Sequence, residues 1–273
     1  MIHVNNYPGA GTAGNAGVSV LAVGGFDPSG GAGVLLDSAA VRAVGVHCAA
    51  VCTMLTRQNG VNFDGTMDVP VAEIIDTIRL VTTVMPIRSI KIGALGRAET
   101  ASAIGAAADR LGVPLVVDPV LRSSSGGVLA DGGATDVLRR ELVPRAFLLT
   151  PNLLEASLLC GRPVDTVARM EEAARSLVCA GARHVLVKGG HLPGNELVDV
   201  LAGPDGQMRH YRGPRLGVGD VRGTGCALAS LCAAFIGLGE SVENAVETAR
   251  DRLAAAIAGA RSFDGGPPLL RFD

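Results

Sequence analysis

The sequence predicts an α/β domain, with a largely parallel sheet covered by helices on both faces. Three observations predict it. Short β-rich runs alternate with helical patterns along the chain, no tandem repeat or low-complexity linker divides them, and 273 residues are enough for one substantial core. A single domain over residues 17–261 is expected, flanked by a flexible N-terminal tail, 1–16, and a C-terminal tail, 262–273.

The first strand candidate is Val18–Val23, followed by GGFDPSGGAG and a helix near 33–44. So many glycines let the backbone pass close to a ligand, although a PSGG run also fits an ordinary loop. The helix carries only Asp37 and Arg42 as charges, so most of its surface should be buried. A carboxylate there needs a ligand or a local partner. His47–Thr53 is the second strand and runs into Thr56-Arg57-Gln58-Asn59-Gly60. The Gln58 amide could read an aminopyrimidine edge as it reads adenine, or could merely begin a turn.

A helix near 70–83 leads to strand Ile90–Ile92 in KIGALG, and a helix near 99–111 leads to strand Leu115–Val117, which ends in Asp118-Pro119-Val120. Ligands of open parallel sheets bind beyond the carboxyl ends of the strands. Asp118 is therefore placed to organise a metal or a lysine, or only to cap the following turn. After a helix near 134–141 come strand Phe147–Leu149 and TPNLLE. Asn152 and Glu155, three apart at the start of a helix over 153–160, fit a capping box, and their oxygens equally fit a hydrated Mg²⁺. A helix near 167–180 precedes strand His184–Val187 and Lys188-Gly189-Gly190-His191, where Lys188 suits a nucleotide phosphate or a solvated turn.

Residues 218–238, VGDVRGTGCALASLCAAFIGL, organise the rest. Gly223, Thr224 and Gly225 form a permissive turn into a helix whose Leu228, Leu231, Cys232, Phe235 and Ile236 recur on one face. The first N–H groups of such a helix lack intrahelical acceptors and carry the positive end of its dipole, so this is a place to hold phosphate. Cys226 stands at the same helix start, where the dipole should favour the thiolate over the thiol, and either form beside a phosphate cradle could take a proton from an attacking hydroxyl. It could equally be a small buried residue. Gly239 stops this helix, and Ser241 caps a last one that is expected only to pack.

Composition narrows the partners. A formal net charge of −2, 3% aromatics and no tryptophan argue against a nucleic-acid surface. The six cysteines follow neither CxxC nor zinc spacing and are expected to be reduced thiols of a cytoplasmic protein. The N-terminus lacks the pattern of a signal peptide, and the longest apolar run, 227–239, is too short to span a bilayer. A small-molecule ligand is expected.

Taken together and in order, GGFDPSGGAGVLLD, TRQN, KIGAL, DPV, TPNLLE, VKGGH and RGTGC resemble the hydroxymethylpyrimidine/phosphomethylpyrimidine kinases of thiamin synthesis, within the ribokinase-like superfamily. The resemblance covers roughly residues 18–260. It implies a three-layer α/β/α sandwich and ATP-dependent phosphorylation of a pyrimidine alcohol and then of its monophosphate, with ATP and Mg²⁺ required and a homodimer or other homo-oligomer expected. It further implies that Gln58 binds the aminopyrimidine, with Gly25, Asp37, Ala94 and Val120 around the same substrate. Lys188, Thr224, Gly225 and Asn152 would serve the nucleotide, Glu155 and Asp118 the metal, and Gly223, Gly225, Lys188 and Cys226 the transfer itself.

Some positions depart from the family pattern. Arg222 replaces a histidine, Ala94 a methionine, Ser124 a lysine, Leu154 a proline and Arg57 a small residue. Arg57 or Arg122 could supply the phosphate-binding charge that Ser124 lacks. A pyridoxal-type kinase and a pyrimidine-binding regulatory protein without turnover are the alternatives.

Overall fold

The sheet orders the molecule. The structure, a computed structural model, describes residues 17–122, 126–127, 129, 132–216 and 220–272; the expected N-terminal tail and Ser124 lie outside the described residues. Its strands are β1 (Ser19–Phe26), β2 (His47–Gln58), β3 (Phe63–Asp68), β4 (Ile87–Ile92), β5 (Leu115–Val117), β6 (Leu148–Leu149), β7 (Val185–Val187), β8 (Glu196–Ala202) and β9 (Met208–Pro214), in the spatial order β3-β2-β1-β4-β5-β6-β7-β8-β9. From β2 to β7 the neighbours are parallel, while β3 at one edge and β8 and β9 at the other are antiparallel.

Burial on both faces explains the apolar runs. In β1, Leu21 and Val23 point into one core and Val20 and Ala22 into the other, as the two-residue period of a strand requires. The first core is closed by α2 (Val71–Thr82), α3 (Ala98–Leu111), α5 (Leu153–Cys160) and α6 (Val167–Cys179), together with Leu138 and Leu142 from a π turn that follows the short α4 (Gly132–Val137). The second is closed by α1 (Gly33–Arg42), α7 (Thr224–Gly237) and α8 (Val242–Ala258). This is the expected three-layer α/β/α sandwich.

Helix α7 departs from its expected single apolar face. Every residue from Ala227 to Ala234 is buried, because the helix is wedged between the sheet, α1 and α8. The stretch expected to be a C-terminal tail also folds back: Leu269 bridges to Arg222 and Arg261, and Leu270 and Phe272 pack on the α1/α7/α8 core. Among the described residues no helix is long and apolar enough to cross a membrane.

Candidate active site

A cleft of about 1320 Å³ opens where the parallel strands end, and it holds nearly all the residues singled out by the sequence. Gly25, Gln58, Ala94 and Val120 line one part of it, while Asn152, Glu155, Lys188 and the turn from Gly223 to Cys226 line another.

The turn must be glycine. Gly223 caps α7 in the left-handed region, at φ 78°, without a side-chain hydrogen bond. A Cβ there would collide with the Gly31 carbonyl and the Leu36 side chain. At Gly225 a Cβ would come within 3.0 Å of Lys188 Nζ. Both positions therefore let a chain turn and a lysine approach the start of α7, where the free amides favour an anion.

Lys188 extends from the end of β7, its backbone N–H held by the Pro151 carbonyl. Its Nζ donates to Asp118 Oδ1 at 2.7 Å, and Thr150 Oγ1 donates to the same oxygen at 3.2 Å. Burial disfavours both charges, but each outweighs it for the other: Asp118 raises the Lys188 pKa, and Lys188 with Lys91 holds Asp118 below the usual carboxylate range. Asp118 thus takes a lysine, one of its two expected partners.

Asn152 and Glu155 complete the capping box of α5. The Asn152 N–H donates to Glu155 Oε2 at 2.8 Å, and the Glu155 N–H donates to Asn152 Oδ1 at 2.9 Å. Burial pushes the Glu155 pKa up to about 7, against the pull of Lys188. The hard oxygens of Glu155 and Asp118 fit a Mg²⁺, but among the described residues no group of three or more His, Cys, Asp or Glu is placed to cage a metal. An ion here would complete its shell with water and phosphate oxygens.

Cys226 lines the cleft, though not as the expected thiolate. Burial pushes its pKa up to about 12, with Lys91 pulling the other way, so the thiol keeps its proton in the ligand-free protein.

Asp37, expected beside the substrate, stands at the buried floor of the cleft and gives its carboxylate to protein partners. It is fully buried, Lys91 Nζ donates to its two oxygens at 2.8 and 2.9 Å, and Ser230 Oγ donates at 2.8 Å, which ties α1, β4 and α7 together. Burial disfavours the Lys91 charge, yet Asp37 and, after it, Cys226 and Asp118 hold the ammonium above its ordinary pKa. The signal was present in sequence as a lone aspartate in an apolar helix and a lone lysine in an apolar strand.

Arg222 is the other residue whose importance the sequence concealed. Its side chain is 2% exposed, pairs with Asp27 at 3.3 Å and donates to Gln58 Oε1 at 2.6 Å and to the Gly60 carbonyl at 3.1 Å. Arg57, by contrast, pairs with Asp64 on the exposed β2–β3 hairpin and lies outside the cleft, whereas Arg122 lines it. Of the two arginines expected to offer charge to a phosphate, Arg122 is the one that lines the cleft. Helix α8, expected only to pack, presents Glu247, Arg250 and Asp251 to the cleft, with Arg250 paired to Asp199.

A family model described as phosphomethylpyrimidine kinase matches residues 27–267. This chain belongs to that family. It is a kinase of the phosphomethylpyrimidine kinase family, and it is 36% identical over 248 residues to the hydroxymethylpyrimidine/phosphomethylpyrimidine kinase of Streptomyces coelicolor, covering 90% of this chain and 91% of that protein. It is 39% identical over 241 residues to the thiamine biosynthesis bifunctional protein ThiED of Geobacter sulfurreducens, covering 88% of this chain but only 49%, about half, of that longer protein. Among solved structures, the family's phosphomethylpyrimidine kinase from Clostridium difficile aligns with a TM-score of 0.78 at 31% identity, covering 88% of this chain and 99% of that one. An ADP complex of Bacillus subtilis pyridoxal kinase aligns with a TM-score of 0.86 at 24% identity, covering 94% and 97%, a likeness of fold.

Proposed function

We propose that this kinase transfers the γ-phosphoryl group of ATP to the hydroxymethyl group of 4-amino-5-hydroxymethyl-2-methylpyrimidine, and then a second phosphoryl group to the resulting monophosphate, in the cytoplasm. The observation that carries the reading is a single cleft with a glycine-flanked cysteine at an open helix N-terminus in one part and an amide on a rigid strand in the other.

Phosphoryl transfer asks a protein chiefly for positioning and for charge that meets the migrating group. The amides of Thr224, Gly225 and Cys226 point positive charge at that group, and Lys188, held by Asp118, adds a cation. Bound Mg²⁺, held by Glu155 with Asp118 nearby, would neutralise charge on the phosphate oxygens. Because bond breaking to the leaving oxygen runs ahead in a loose transition state, the hydroxyl proton leaves late and demands little of a base. The Cys226 sulfur accepts the hydrogen bond of the acceptor hydroxyl and orients its oxygen. Arg122 supplies charge toward the phosphate of the second acceptor.

A coupled ADP-release assay across the pyrimidine alcohol, its monophosphate and pyridoxal tests this reading. Turnover of both pyrimidines above pyridoxal is expected. Preference for pyridoxal would make the protein a pyridoxal-type kinase, and binding of the alcohol without ADP release would make it a binding protein.

A further inference from the structure

We propose that Arg222 is a positioning residue that locks the Gln58 amide in one orientation, and thereby sets which order of donor and acceptor on a heterocycle this cleft accepts. The inference rests on the acceptor class proposed above and adds a determinant of its specificity.

An amide is ambiguous because its oxygen and nitrogen ends have nearly the same shape, so only its partners decide which way it faces. At Gln58 those partners form a one-way chain. The guanidinium of Arg222 can only donate, so the end that meets Nη2 at 2.6 Å is the oxygen. The other end, Nε2, donates to Thr56 Oγ1 at 2.9 Å, whose own hydrogen is directed to the Phe26 carbonyl at 2.9 Å. Thr56 alone could not hold this order, since a hydroxyl can turn round and donate to a flipped amide. Arginine cannot make the matching change.

Arg222 is itself fixed on several sides. Asp27 accepts from Nη2, the Gly60 carbonyl accepts from Nη1, and the Arg222 backbone N–H donates to the Pro268 carbonyl at 3.0 Å. Asp27 is in turn held by the N–H and hydroxyl of Ser29 at 2.9 and 2.8 Å. One nitrogen is left without any partner: Nε is buried and unbonded, alone in this among the buried side-chain nitrogen and oxygen atoms of the described residues. A residue chosen for packing would not leave a polar atom stranded, whereas one chosen to aim Nη2 at Gln58 tolerates it.

Gln58 lines the cleft, and after these bonds its oxygen retains one lone pair and its nitrogen one hydrogen. A ring seated by its hydroxymethyl group meets that pair in a fixed order. An amino group beside a ring nitrogen matches, and an oxo group beside a ring N–H presents the reverse. With the amide free to flip, both would be read.

The test compares kcat/KM for 4-amino-5-hydroxymethyl-2-methylpyrimidine with that for its 4-oxo counterpart in the wild type, in Arg222→Met, and in the double variant Asp27→Asn with Arg222→Met, which leaves no unpaired charge if the single variant folds poorly. The amino preference should fall at least about tenfold in the variants, with KM for ATP within about twofold. An unchanged preference in a folded variant overturns the proposal. The side-chain amide of Gln58, assigned by loss of its NMR signals in Gln58→Leu, gives a readout independent of turnover. One sharp, shifted pair of signals is expected in the wild type, moving toward free glutamine in Arg222→Met. The same sharp pair in both proteins would overturn the lock. A locked amide in a wild type that turns over neither pyrimidine would support the lock and count against the acceptor class.

Discussion

Two lysine–aspartate pairs approach the start of α7 from the floor of the cleft, and they differ chiefly in how far the lysine is uncovered. Lys91 and Asp37 are 1% and 0% exposed, and both carboxylate oxygens are spent on the lysine and Ser230. Lys188 and Asp118 are 12% and 2% exposed at the end of β7, with the lysine against Gly225. The first pair joins three elements in the interior; the second presents a cation where a phosphate would lie. Similar chemistry becomes an anchor or a tool according to how much of it the fold leaves uncovered.

The sharpest way to break the comparison is to remove each lysine. Lys91→Met strands a buried carboxylate and should destabilise the fold by about 3–5 kcal/mol in denaturant unfolding, while Asp37→Asn added to it recovers much of the loss. Lys188→Ala should cost less than half as much stability but lower kcat about 10²- to 10³-fold, in keeping with loss of one transition-state donor. If the two variants lose stability and turnover in the same proportion, the distinction between them fails. Cys226→Ala follows, with kcat down about tenfold to a hundredfold through loss of the orienting hydrogen bond and nucleotide affinity nearly unchanged, read by ADP release and by titration with a non-hydrolysable ATP analogue.

The pH dependence sharpens the contrast from the side of Glu155. Burial raises its pKa in the folded protein to about 7, above the ordinary value of 4.5, so the fold favours its protonated form. That contribution to stability is complete below about pH 4.5 and is lost as pH rises to about 7, at up to about 1.4 kcal/mol per pH unit. A cation bound beside Glu155 favours the carboxylate instead, so added Mg²⁺ should flatten the loss, and Glu155→Gln should remove it. The smallest effect belongs to Arg57→Ala: an exposed pair with Asp64 is worth less than about 1 kcal/mol, and the KM of the monophosphate should not move.

The alternation of strands and helices was legible because parallel strands buried on both faces read as apolar runs, and β5, β6 and β7 appear within a residue or so of their expected places. The antiparallel edges were not. FDGTMD of β3 and MRHYRGP of β9 are largely exposed and polar, so neither apolar runs nor clean alternation marks them, whereas ELVDVLA of β8 is mostly buried and its apolar run was passed over. The glycine turn, Lys188, Asn152 and Glu155 were found because each lies beside a recognisable strand end or helix start. Asp37 and Lys91 stand 54 residues apart, and Arg222 and Gln58 164 apart, so their partnerships depend on the packing of distant elements. Arg222 looked like a departure from a pattern because nothing local shows what it holds.

The returning segment at the end of the chain has a consequence for handling the protein. Pro268 grips the backbone of Arg222, Leu269 lies against Gly31, and Pro267 lies over Gly60, so these last residues form the outer support of the wall that carries Gln58. A ligand that tightens this wall and the order of the carboxyl-terminal segment are thermodynamically linked, each strengthening the other. Filling the cleft should slow amide hydrogen exchange at Arg261 and Leu269, and a fusion partner placed hard against the terminus should weaken acceptor binding from outside the cleft.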